Sequence, residues 1–134
     1  VRENAELNIL NNDMPGGYHR CARTKDFDFT YISRRFLEIS GYSRQQIKDL
    51  FDNKFINMIH PEDRRRVTSG VDSLTGRDSC GIMVYRMQSP RGYIWIVDQT
   101  NYLIYENREY LQGVVTELSE LQKIVDSIQP IKLQ

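Results

Sequence analysis

Few of the residue sets that announce catalysis or charge-driven binding occur in these 134 residues. The 2 cysteines, Cys21 and Cys80, stand too far apart for a C-x-x-C metal or redox pair. No N-x-[ST] acceptor occurs, so a reducing, cytoplasmic setting is expected, either free or as the cytoplasmic part of an anchored protein. No apolar run approaches the ~20 residues of a membrane helix, and the N-terminal stretch holds no signal-peptide core. The 18 basic and 18 acidic residues cancel, which removes the broad positive field that nucleic acids and anionic membranes require. Glycine loops that cradle phosphate are missing, and Asp72, Asp78 and Asp98 match no calcium loop or paired-carboxylate spacing. Catalysis therefore has no footprint here, and no metal site is expected.

What remains is the composition of an ordinary folded domain: 40% hydrophobic, 10% aromatic and 27% charged. A chain of this size buries roughly two thirds of its extended surface, enough for one core. It starts at Val1 without a methionine, and we read it as one module of a longer protein. A short helix with Leu7, Ile9 and Leu10 is expected to end in the turn-forming run Asn11 to Gly17. Two strands follow, Tyr18 to Arg23 and Phe27 to Ile32, with Phe27, Phe29 and Tyr31 alternating. Ser33 caps a helix that Gly41 ends, and Ser43 with Gln46 forms a capping box for a second helix that turns Ile47, Leu50 and Phe51 to one side. Pro61, with Glu62 and Asp63 in the first turn, opens a longer helix whose stripe is Val67, Val71 and Leu74.

From Cys80 the period becomes two. Cys80 to Gln88, Tyr93 to Tyr105 and Arg108 to Glu117 read as an antiparallel meander turned at Ser89 to Gly92 and at Glu106-Asn107. Both faces are apolar, since Ile82 and Val84 oppose Met83 and Tyr85, and Ile94 and Ile96 oppose Trp95 and Val97. A sheet greasy on two sides needs two covers, and the internal helices supply one. Leu118, Leu121, Val125 and Ile128 then form two heptads of an a/d stripe on an exit helix stopped by Pro130, a seam that wants a partner helix.

This order of elements, together with five local patterns, resembles a PAS domain. The patterns are Met14-Pro15-Gly16-Gly17-Tyr18, then Tyr31-Ile32-Ser33 through Phe36 to Gly41-Tyr42-Ser43, His60-Pro61-Glu62-Asp63, Gly92-Tyr93-Ile94-Trp95, and Glu117-Leu118-Ser119-Glu120. The resemblance covers residues 14 to 121, with Glu117 and Ser33 departing mildly from the family's usual Asp and Asn. It implies an α+β fold: a five-stranded antiparallel sheet with short helices on one face and flanking N- and C-terminal helices. It divides the chain into an N-terminal helix or linker over 1–13, a sensory domain over 14–117 and an output helix over 118–134. It further implies a sensory module, not an enzyme, within a histidine kinase or diguanylate cyclase type of protein.

By analogy with the family's light-sensing branch, the resemblance implies that covalent flavin photochemistry would need a cysteine around Asn53 to Met58 and a glutamine near Val115, and the chain has neither. Haem is not expected, because His60 precedes Pro61 in a turn motif and reads as a cap. His19 and Cys21 project to the same side of a strand, which raises a thiol-dependent enzyme only to set it below a buried inert thiol. Arg64, Arg65 and Arg66 fan around a helix beside two acids and read as a solvated face. A pocket for a small apolar or aromatic ligand is assigned to Tyr31, Phe36, Ile39, Phe55, Met58, Met83, Tyr85, Trp95 and Gln99, with Leu50, Ile59 and Val97 beside them. A slip of one residue would replace its β members with Ile94, Ile96 and Asp98. The leading expectation is a homodimer joined through Leu118, Leu121, Val125 and Ile128, relaying changes in packing to an output domain. Ligand occupancy as the signal is the alternative.

Overall fold

The computed structural model describes residues 16–76 and 79–128, so the expected helix over 1–13 and the stop at Pro130 lie outside the described residues. Its elements are β1 (Gly17–Ala22), β2 (Phe29–Ile32), α1 (Arg34–Ser40), α2 (Arg44–Phe51), a 3-10 turn (Phe55–Met58), α3 (Pro61–Asp72), β3 (Cys80–Ser89), β4 (Gly92–Tyr105), β5 (Arg108–Glu117) and α4 (Leu118–Ser127). The strands form one antiparallel sheet in the order β2-β1-β5-β4-β3. The expected α+β fold is the one observed.

Local chemistry accounts for the boundaries. Ser33 Oγ accepts from Phe36 N at 3.2 Å and from Tyr18 N at 2.9 Å, so one hydroxyl caps α1 and ties it to β1. Gly41 closes α1 with φ 81°, a left-handed position that suits glycine. The Ser43–Gln46 capping box forms in both directions, at 3.1 and 2.8 Å. His60 Nδ1 accepts from Glu62 N at 3.1 Å, and Pro61 opens α3 behind it. Glu106 and Asn107, both at positive φ, make the two-residue turn from β4 to β5, the φ pattern of a type I′ hairpin.

The helices bury one face of the sheet. Phe36, Ile47, Met58, Met87, Ile96 and Val115 are sealed between the layers, with Phe29 and Phe55 stacked at 5.0 Å. Leu50 does not join Ile47 and Phe51 in that layer. It is exposed, because the two buried positions already span the narrow stripe that α2 turns inward.

Two register features correct the expected inward set. Ser89 pairs with Gly92 across the β3–β4 turn, which places Tyr85 opposite Ile96 and Met83 opposite Asp98. Residues directly opposite share a face. Ile94, Ile96 and Asp98 therefore point inward with Met83 and Tyr85, while Trp95, Val97 and Gln99 lie on the outer face. At the other side of the sheet, a bulge between Arg20 and Cys21 pairs Cys21 with Phe29 but Arg20 with Tyr31. Tyr31 is turned outward, its ring 5.7 Å from that of Tyr18.

α3 is held to the edge strand through Arg86, which pairs with buried Asp63 and, at 3.3 Å, with exposed Glu62. Asp63 Oδ2 accepts from the Arg86 backbone N–H at 2.8 Å and from its Nε at 3.0 Å, and Oδ1 accepts from Nη2 at 2.8 Å. The hydrogen-bonding Arg86 guanidinium holds the Asp63 carboxyl well below the usual carboxylate range, against the opposing effect of burial. An unfolded Asp titrates near ~3.9. The stabilisation from Asp63 is therefore complete above about pH 4 and is lost as pH falls through the depressed native value. Asp63→Asn should lower the urea midpoint at neutral pH, and the gap to wild type should narrow as pH drops below about 4. A gap that stays constant with pH would contradict this role.

Candidate functional site

Beneath the helices, β1, β3 and β4 bring polar side chains together inside an otherwise apolar core. Asp98 on β4 is buried and receives three contacts. Tyr85 Oη donates to its Oδ2 at 2.8 Å, and His19 Nε2 lies 3.0 Å from the same oxygen. Thr100 Oγ1 donates to Oδ1 at 3.0 Å. With Nε2–H directed at Asp98, His19 leaves Nδ1 facing Cys21 Sγ at 3.8 Å. A carboxylate removed from water is tolerable only when its lone pairs are occupied, and the side chains of three different strands occupy these.

This arrangement depends on a missing side chain. Gly113 on β5 lies between His19 and Thr100 in register. A Cβ there would overlap Asp98 Oδ1 and come within 2.7 Å of His19 Nε2. Both atoms are fixed by the hydrogen bonds just described. The rings of Phe36 and Phe55 close over His19 with centroids 5.7 and 4.8 Å away.

Beside the cluster is a cavity of about 20 Å³ lined by residues that include Cys21, Phe27, Phe55, Ile59, Val71 and Met83. That is space for one water-sized guest. Of the assigned pocket residues, Phe55, Met83 and Tyr85 line it, as does Ile59. Phe36 and Met58 are sealed in the core nearby. Ile39 packs at the core's margin and faces a groove shared with Ile124 of α4. Tyr31, Trp95 and Gln99 are on the outer face and do not reach the cavity. His19, Asp98, Thr100 and Gly113 are the members that sequence reasoning missed as a group. The signal for Asp98 was available: taking Ser89 and Gly92 as the paired residues flanking the turn sets Asp98 beside Tyr85.

The chemistry open to the cluster is hydrogen bonding, not nucleophilic attack. Burial first, then the negative Asp98 and Asp28, push the Cys21 thiol well above its ordinary pKa, so it stays protonated beside His19. Burial and the Asp98 charge likewise hold Tyr85 as a neutral phenol. The His19–Cys21 pair is thus a packed element of the core, whose thiolate form is disfavoured. At the surface, the His60 ring lies 4.4 Å from that of Tyr93 while its Nδ1 caps α3. Among the described residues no group of three or more His, Cys, Asp or Glu side chains is placed to hold a metal ion.

The apolar stripe on α4 is in the open. Leu118, Val125 and Ile128 are exposed and Leu121 is half-buried. Ile128 stands one residue past the last helical position, as the C-cap with an extended backbone, so the helix itself carries the first three members of the stripe. Ile124 is exposed on the same helix.

A family model described as PAS fold matches residues 29–115, more than half the chain. No curated protein matches in sequence. Among solved structures, a PAS domain from a two-component sensor histidine kinase superposes with TM-score 0.69 at 14% identity, covering 87% of this chain and 96% of that one. The PAS domain of an HTR-like protein from Haloarcula marismortui gives 0.63 at 14% identity, covering 87% and 93%. The N-terminal domain of a diguanylate cyclase with a PAS/PAC sensor from Marinobacter aquaeolei gives 0.59 at 18% identity, covering 80% and 98%.

Two outcomes test the site. Gly113→Ala should destabilise the fold by about 1–3 kcal/mol, the usual cost of overpacking a fixed core. A midpoint in urea equal to wild type would show that His19 and Asp98 yield freely. In a thiol titration of the native protein, exposed Cys80 should react at once and buried Cys21 only after denaturant is added. Prompt reaction of both thiols would contradict the sealed core.

Proposed function

Because the chain belongs to the PAS family, we propose that it is a sensory and regulatory module of a larger signalling protein, associating as a homodimer and relaying changes in packing through α4. On this reading residues 14–117 form the sensory unit and residues 118–134 the output segment, in a cytoplasmic setting. The similarity to domains of a sensor histidine kinase and of a diguanylate cyclase supports an output of one of those two types. The observation that carries the reading is where the exposed apolar surface lies. Ile82 is 69% and Trp95 47% exposed on the outer face, and Val125 is 59% exposed on α4. Apolar surface gathered on one sheet face and one helix stripe marks an interaction site, and an a/d stripe suits a second copy of the same helix.

α4 follows β5 directly, and β5 lies between β1 and β4, the strands that carry His19 and Asp98. A change in core packing thus has a short covalent path to the exit helix. Among the described residues no helix is long and apolar enough to cross a membrane. Ligand occupancy as the signal takes second place, since the cavity of about 20 Å³ admits an organic ligand only if the helices move off the sheet.

The double variant Leu121→Asp/Val125→Asp tests the seam. Each change sets a charge in an apolar contact at a cost of roughly a few kcal/mol. Light scattering should show wild type as dimers at tens of micromolar and the variant shifted toward monomer by at least tenfold in dissociation constant. A variant that associates as tightly as wild type, or a wild type that stays monomeric, would refute the seam.

A further inference from the structure

Each edge of the sheet is closed off at one residue, and the run left open on β3 points to a second contact surface. On β2, Phe29 is closed off by the α2–turn connection: its N–H donates to Asn53 O at 3.0 Å and its carbonyl accepts from Asn53 Nδ2 at 3.1 Å. On β3, Arg86 is closed off in the same way, its N–H donating to Asp63 and its carbonyl accepting from His60 N at 2.9 Å. Backbone direction alternates along a strand, so Val84, Ile82 and Cys80 turn their N–H and C=O groups to the same edge as Arg86. Within the described residues, these three receive no such plug.

Proteins protect free edges with charge, proline, bulges or a covering element. The stretch Ser79-Cys80-Gly81-Ile82-Met83-Val84-Tyr85 contains no charge and no proline, and it pairs regularly with β4. Ile82 and Val84 are also exposed through their side chains.

We propose that the open edge of β3, over residues 80–84, pairs antiparallel with the same edge of a second copy, in a contact separate from the α4 seam. The neutrality of the stretch favours a like partner, because a charged segment would find no counter-charge along residues 79–85. The chain as a whole has net charge 0, so two copies approach without net repulsion. A two-fold axis at Ile82 sets Cys80 opposite Val84 of the other copy, so each edge-facing residue finds both a donor and an acceptor. The plug at Arg86 ends the pairing. Chains that use both contacts assemble beyond the dimer.

Amide exchange on the full chain reads this directly. The amides of Met83 and Tyr85, directed at β4, should be protected at every concentration. Those of Ile82 and Val84 should exchange freely in dilute protein and slow by tenfold or more as concentration rises. Val84→Pro removes one outward N–H that the isolated sheet does not use, and Val84→Lys places a gatekeeping charge on the outer face while keeping that N–H. Both should abolish species larger than the dimer, and Leu121→Asp/Val125→Asp should leave edge-paired dimers. Fast exchange of the Ile82 and Val84 amides at all concentrations would overturn the proposal. So would larger species that persist in folded Val84→Lys, or a strictly monomeric Leu121→Asp/Val125→Asp variant at hundreds of micromolar.

Discussion

The constraint behind this structure is that a single sheet has two faces and, among the described residues, the helices close only one. On the inner face closure is nearly complete. The 3-10 turn and α3 bring Phe55, Ile59, Val67 and Val71 against β3 and β4, leaving a cavity of about 20 Å³. On the outer face Ile82, Val84, Tyr93 and Trp95 remain exposed, and α4 leads away with its stripe uncovered. Hydrophobic burial, the dominant favourable contribution to folding, is thus satisfied inside and left outstanding outside, where association can satisfy it.

The interior is not uniformly apolar, and the exception is informative. Asp98, His19, Tyr85 and Thr100 satisfy one another at 2.8–3.0 Å, so the core holds a polar cluster without orphaned groups. Such networks specify one arrangement, since any slip of β1 against β5 or of β5 against β4 would strand a buried carboxylate. Gly113 is where that specification is written into the backbone. The cluster draws on strands that flank β5, the strand continuous with α4, which is the placement a packing relay needs.

Much of the fold was legible because its boundaries are chemical. Ser33, Ser43 with Gln46, and Pro61 each sit where a helix must begin, and the Glu106-Asn107 turn lies where two strands must reverse. Facing was harder to read. Trp95 was assigned inward because both faces of β4 are apolar, and composition cannot separate two greasy sides. Only the pairing of Ser89 with Gly92 decides between them. Tyr31 was assigned inward from clean alternation, which a bulge between Arg20 and Cys21 interrupts. His19 and Cys21 were correctly seen to share a side. Their partner Asp98 was hidden by the same slip that misplaced Trp95.

Trp95 is the sole tryptophan and stands 47% exposed in the middle of the outer patch, which makes it a native reporter of whether that face is covered. The most direct test is its fluorescence emission across a dilution series of the full chain. Association over the outer face should move the maximum to shorter wavelength as concentration rises, and dilution should reverse the shift. An emission maximum that is red and constant from nanomolar to hundreds of micromolar would mean that the outer face stays wet, and the account of an associating relay module would fail.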